Sequence, residues 1–91
     1  MFVVIFGRPG CPFCVRAKDL AEKLENAEAI EGFRYIDIHA EGISRADMEK
    51  TIGKPVETVP QIFVDQTHIG GFTEFERYVS DEALLAASLS E

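Results

Sequence analysis

Cys11 and Cys14 stand three positions apart and are the only cysteines in the chain. Thiols at that spacing suit the reversible making and breaking of a disulfide. Residues three apart on a helix carry Cβ atoms about 5–6 Å from each other. A disulfide asks for Cα atoms about 4.4–6.8 Å apart, so the two sulfurs can pair and separate without refolding. The loop they close is very short, and pairing would add little stability through chain entropy. Stability is therefore a poor reason for the pair. A structural zinc would need two further ligands. His39 and His68 are the only histidines, and no second cysteine pair exists, so the spacing matches no common zinc module.

The segment around the pair reads Arg8-Pro9-Gly10-Cys11-Pro12-Phe13-Cys14. It follows a strand-like run and opens a helical pattern, a setting in which C-x-x-C reads as a redox motif. Cys11 falls at the helix start, where unpaired N–H groups and the macrodipole favour negative charge. Arg8 and Arg16 add to that field. Such settings lower a thiol pKa from about 8.5 into the range of roughly 3.5–7.5. At a pKa of about 5, the thiolate fraction near pH 7 rises about thirtyfold. Intrinsic nucleophilicity falls with a slope of about 0.4–0.5, which takes back a similar factor. The clear gain is in departure, because a stabler thiolate leaves a mixed disulfide faster. Cys11 is thus expected to be the attacking thiolate. Cys14 lies one turn inside the helix and is expected to be less exposed, as the resolving thiol.

The elements that must position this pair follow from periodicity and punctuation. Phe2 to Phe6 is a continuous apolar run and reads as a buried strand. Pro12 suits the first turn of a helix, which the pattern extends to about Asn26. Ala17, Leu20, Ala21 and Leu24 share its apolar face. Phe33 to Ile38 alternates loosely and reads as a second strand, parallel to the first through a βαβ unit. Ser44 caps a helix over Arg45 to Ile52, ended by Gly53 and Pro55. Gln61 to Val64 and Thr67 to Ile69 read as strands of a hairpin turning at Asp65-Gln66. Thr73 and Glu76 have the spacing of a capping box and predict a third helix to about Val79. A further helical segment is expected over Ala83 to Leu89. The order is β-α-β-α-β-β-α, an α/β arrangement with helices flanking a four-stranded mixed sheet.

A chain of 91 residues fits one domain, residues 1–91, with 81–91 as a helical tail. A chain of this size buries roughly two-thirds of its unfolded surface. The composition, 46% hydrophobic and 27% charged, is that of an ordinary globular protein. The apolar run at Met1–Phe6 is too short to span a bilayer, and Gly7-Arg8 ends it before it could serve as a secretory signal core. A cytoplasmic protein is expected. The net charge of −7 argues against nucleic acid and anionic membranes as partners. The charge is uneven. Met1 to Lys18 holds no acid but carries Arg8, Arg16 and Lys18, whereas Glu74 to Glu91 holds five acids and one base.

Two more segments bear on function. Thr58-Val59-Pro60 precedes the third strand, and a proline entering a strand cannot donate to the sheet. Gly70-Gly71-Phe72-Thr73-Glu74 sets two flexible residues before a helix N-terminus, a possible carboxylate site. Together with Cys11-Pro12-Phe13-Cys14, these segments make the chain resemble a glutaredoxin of the short bacterial dithiol kind, over residues 1 to about 80. The resemblance implies a thioredoxin-like fold with a cis Val59-Pro60 bond. It implies glutathione as reductant, no metal, and a reversible Cys11–Cys14 disulfide. Its implied substrates are glutathione mixed disulfides and protein disulfides, ribonucleotide reductase among them. It also implies a site for glutathione. Val59 would pair through its backbone with the cysteinyl part, with Thr58 and Pro60 beside it. Gly71, Thr73 and Glu74 would hold the γ-glutamyl end. Arg8 would face the glycyl carboxylate, and Phe13 would line the groove. A monomer is expected. Phe13 and Phe72 stand where the family usually has tyrosine, and Glu74 is one methylene longer than the usual aspartate.

Two alternatives keep the same fold. One takes electrons from thioredoxin reductase. The other is a scaffold for a glutathione-ligated iron–sulfur cluster, which would need four thiolates and hence two chains and two glutathiones. By family analogy Pro12 disfavours the latter.

Overall fold

The computed structural model describes residues 1–82. The elements are β1 (Phe2–Gly7), α1 (Pro12–Asn26), β2 (Gly32–Asp37), α2 (Arg45–Ile52), β3 (Gln61–Val64), β4 (Thr67–Gly70) and α3 (Phe72–Asp81). The expected order holds, with ends shifted by one or two residues. The tail helix expected over Ala83–Leu89 lies outside the described residues.

The sheet runs β2-β1-β3-β4. β1 pairs parallel with β2, Val3 opposite Phe33 and Ile5 opposite Tyr35. It pairs antiparallel with β3, Val3 opposite Val64 and Ile5 opposite Ile62. The β3–β4 hairpin turns at Asp65 and Gln66, whose φ values of 48° and 71° suit a two-residue turn with both centres left-handed. Asp65 also fastens the turn to the chain start, its Oδ1 accepting from the Phe2 N–H at 2.8 Å.

Strand alternation divides β1 between two faces. Val3 and Ile5 are fully buried and join Ala17, Ala21, Leu24, Ile62, Phe75 and Val79 in one core between the sheet and helices α1 and α3. Burying each such large side chain contributes about 1.5–3 kcal/mol. Val4 and Phe6 point the other way and stay half-buried, with Phe2 exposed. They line an apolar groove with Phe63 and Thr51 of α2. The run Phe2–Phe6 is therefore buried fully on one face only. Leu20, expected on the core face of α1, is half-buried at its margin.

One expectation fails. The third helix is not capped by Thr73 with Glu76. Its N-cap is Gly71, and Glu74 occupies the third helical position, its Oε1 accepting from the Gly71 N–H at 2.7 Å. Gly71 has no side chain to offer in return, so only that half of a capping box forms. The helix also runs past Val79 to Asp81.

Candidate active site

The C-terminal end of β1 delivers the chain to the Arg8-Pro9-Gly10 loop, all three residues exposed. A Cβ at Gly7 would collide with the Tyr35 hydroxyl, so the missing side chain lets Tyr35 of β2 pack across this corner. Burial, and then the charge of Asp37, hold the Tyr35 hydroxyl above its usual pKa. Gly10 has φ +73°, a left-handed conformation that suits glycine. Cys11 follows as the N-cap of α1, extended at φ −110°, with Pro12 at the first helical position.

Cys11 and Cys14 are joined as a disulfide, with Cα atoms 5.2 Å apart. The Cys14 N–H donates to Cys11 Sγ at 3.1 Å, so sulfur takes the place that an oxygen usually fills at a helix N-cap. Cys11 keeps 7% of its surface exposed and Cys14 none, in the order the sequence predicts. Opening toward solvent is therefore confined to Cys11. Its Sγ also lies 3.7 Å from the Val59 carbonyl oxygen.

Val59 belongs to a loop that ends at a cis Val59-Pro60 peptide bond, as the resemblance implies. A groove of about 240 Å³ runs beside it, lined by Phe13, Thr58, Val59, Pro60, Gly71, Phe72, Thr73 and Glu74. Three separated segments meet there: the start of α1, the entry to β3 and the start of α3. Phe13 is half exposed at 51%, its ring centroid 6.2 Å from that of Phe72. Phe13 also carries Arg16, whose guanidinium lies 5.3 Å from the ring centroid, within cation–π range. Arg8 is exposed on the loop before Cys11 and does not line the groove. Every other residue expected at a glutathione site does. Its N-cap Gly71 has no side chain, and among the described residues no side-chain cap bond is made to the first turn of α3.

Two residues of this region are not singled out by the sequence. Gln61 is buried at the start of β3, and its Nε2 donates to the Thr58 carbonyl at 2.8 Å. Its Oε1 meets His68 Nε2 of β4 at 2.6 Å. The His68 ring packs 5.2 Å from Phe63. Desolvation by burial, and then Lys54, lower the His68 pKa, with Glu74 opposing. In the sequence His68 reads as an ordinary surface or core histidine. Its partner becomes visible only when the hairpin register is known.

Among the described residues no three His, Cys, Asp or Glu side chains cluster as a metal site, and no helix is long and apolar enough to cross a membrane.

Comparison with known proteins places this geometry. The glutaredoxin family model matches residues 3–69. Glutaredoxin 1 of Salmonella typhimurium is 68% identical over 87 residues, covering 96% of this chain and all of that one. The solution structure of reduced Escherichia coli glutaredoxin superposes with a TM-score of 0.81 at 62% identity, covering 89% of this chain and 95% of that one. A buckwheat glutaredoxin–glutathione complex superposes with a TM-score of 0.68 at 26% identity, covering 92% of this chain and 73% of that one.

Proposed function

The chain belongs to the glutaredoxin family and is a thiol–disulfide oxidoreductase, and from that premise we propose that glutathione is its reductant and that the groove beside Cys11 receives it. The observation that carries this reading is the convergence of three separate segments on one groove next to the more exposed sulfur. The buckwheat relative, solved as a complex with glutathione, supports it.

The cycle begins with the reduced pair. The Cys11 thiolate attacks the glutathionyl sulfur of a mixed disulfide. The substrate leaves as a thiolate and Cys11 becomes glutathionylated. A second glutathione attacks that sulfur, oxidised glutathione forms, and Cys11 leaves as a thiolate. The Cys14 N–H, aimed at Cys11 Sγ, stabilises the departing charge. For a protein disulfide, Cys11 attacks one sulfur and releases the other. Cys14 then attacks Cys11 Sγ, frees the substrate thiolate and closes the Cys11–Cys14 disulfide. Two glutathiones supply the two electrons that reopen it. Cys14 has no exposed surface, so Cys11 is the partner within its reach. Protein substrates of this second route include ribonucleotide reductase.

Within the groove, the Val59 backbone pairs with the cysteinyl part of glutathione. Thr73 and the uncapped first turn of α3 receive the γ-glutamyl carboxylate, and Glu74 receives its ammonium group. Phe13, with Thr58 and Pro60, walls the groove. Arg8 faces the glycyl carboxylate from outside the lining. The enzyme works as a cytoplasmic monomer.

The test is reduction of a small glutathione mixed disulfide, coupled to NADPH and glutathione reductase. Wild type and Cys14→Ser turn over, and Cys11→Ser does not. Cys14→Ser loses most protein-disulfide reduction. A wild type active only with thioredoxin reductase would overturn glutathione as the reductant.

A further inference from the structure

Gln61 sits where neither the disulfide chemistry nor the groove lining calls for it. It is the one buried polar side chain among the described residues, at 9% exposure. A buried amide is retained at low cost only when its donors and acceptor are used. Here both ends have partners, in two different elements.

The hydrogen bonds fix the amide's orientation. Nε2 faces the Thr58 carbonyl, which can only accept. Oε1 therefore faces His68 Nε2, which must carry the hydrogen and donate. The chain of bonds runs from the Thr58 carbonyl through Gln61 to His68 on β4. It bridges a place where the backbone ladder is irregular. Ile62 pairs with Gly70 and Phe63 with His68, leaving Ile69 as the extra residue of a bulge. Just past this bulge Gly70, at φ +119°, and Gly71 turn the chain into α3. Thr58 stands in one wall of the groove, and Gly71 to Glu74 make the other.

We propose that Gln61 and His68 are positioning residues that fix the two walls of the groove relative to each other, so that the Val59 backbone is presented at the spacing a glutathionyl group needs. This rests on the glutathione reading given above. Neither residue touches the substrate or the sulfurs. Their action is on substrate affinity, not on the reactivity of Cys11. The relay also holds through titration of His68, because Nε2–H is present in the imidazolium and in the neutral tautomer defined here. Lys54 and Glu74 are the charged groups that act on that ring.

The experiment measures KM and kcat for a glutathionylated peptide, alongside the rate at which iodoacetamide alkylates Cys11 in the reduced protein. Gln61→Glu keeps an acceptor for His68 but loses the N–H toward Thr58. His68→Phe keeps the ring and loses the donor. Each should raise KM roughly three- to tenfold, the worth of one hydrogen bond, while the alkylation rate changes less than twofold. His68→Gln, whose amide N–H can again donate, should recover most of the KM. Should Gln61→Glu fail to fold, the His68→Phe and His68→Gln pair decides the matter alone. An unchanged KM in His68→Phe, or a parallel fall in alkylation rate, would overturn the proposal. A wild type inactive with glutathione would instead overturn the reading on which it rests.

Discussion

Helix α2 begins at Ser44, whose hydroxyl accepts from the Asp47 N–H at 3.1 Å while the Asp47 carboxylate accepts from the Ser44 N–H at 3.0 Å. Helix α3 begins at Gly71, where only the return arm exists, from Gly71 N–H to Glu74 Oε1 at 2.7 Å. Both starts obey the same rule, that the first N–H groups of a helix need acceptors from outside it. At α2 the protein supplies them itself. At α3 a glycine leaves room and donors, and the groove opens there. On the proposed function, the difference separates a helix start that serves stability from one that receives a ligand. α2 is further tied down on the approach to the groove. Arg45 Nε donates to the Val56 carbonyl at 2.6 Å, and the Val56 N–H donates to Glu49 Oε2 at 3.0 Å.

The open start of α3 is most sensitive at Gly70. Its φ of +119° is disfavoured for any L side chain, and a Cβ there would stand 2.8 Å from Glu74 Cγ. Gly70→Ala should therefore both strain the backbone and push Glu74 off the Gly71 N–H. The expected loss is roughly 1–3 kcal/mol of stability, with a rise in KM for glutathionylated peptide. Denaturant unfolding and steady-state kinetics on the same variant check the two effects together.

Ser44→Ala sharpens the contrast from the other side. Removing a serine N-cap costs about 1 kcal/mol. That loss should appear in the unfolding midpoint, with KM and kcat unchanged. A KM change comparable to that of Gly70→Ala would mean that α2 reaches the groove through the Val56 ties. Glu74→Ala should do the reverse of Ser44→Ala. Loss of an acidic group from an exposed first turn costs roughly 0.3–1 kcal/mol, a small change in stability. KM should rise clearly, since the carboxylate assigned to the ligand's ammonium group is gone.

How much of this was legible in the sequence follows from the same contrast. The start of α2 was readable because Ser44 carries its signal in a side chain, and Gly53 at φ +84° marks its end. The start of α3 was misplaced by two residues because a glycine cap carries no such signal, and Thr73 with Glu76 imitates one. β1 and β3 were readable from apolar runs ended by glycine and by Asp-Gln, β2 from its loose alternation, and β4 from the turn before it and the glycines after it. The cysteine pair was readable from its spacing and its place after a strand. Thr58, Val59 and Pro60 as one wall came from family resemblance, since local rules see only a strand start. Gln61 and His68 were not legible at all. Their contact depends on the β3–β4 register and its bulge, which no local pattern encodes.

The smallest expected effect is a difference in pH window between the two regions. At α2, the Asp47 carboxyl is held below the usual 3.8, chiefly by the hydrogen bond from the Ser44 backbone and then by the Ser44 hydroxyl. A depressed folded pKa means that the unfolded chain binds the proton first. The stabilisation is therefore complete above about 3.8 and is lost as pH falls through the lower folded value. Beside α3, His68 is also held below its usual 6.5, by desolvation first. The folded state again binds fewer protons, so this contribution is complete above about 6.5 and declines as pH falls below it. Unfolding free energy followed from pH 8 to 3 should thus dip in two steps. His68→Phe should remove the step near neutrality and leave the acid one, and Asp47→Asn should do the opposite. A single variant flattening both steps would show that the two helix starts are energetically coupled, and the division between a sealed start and an open one would have to be abandoned.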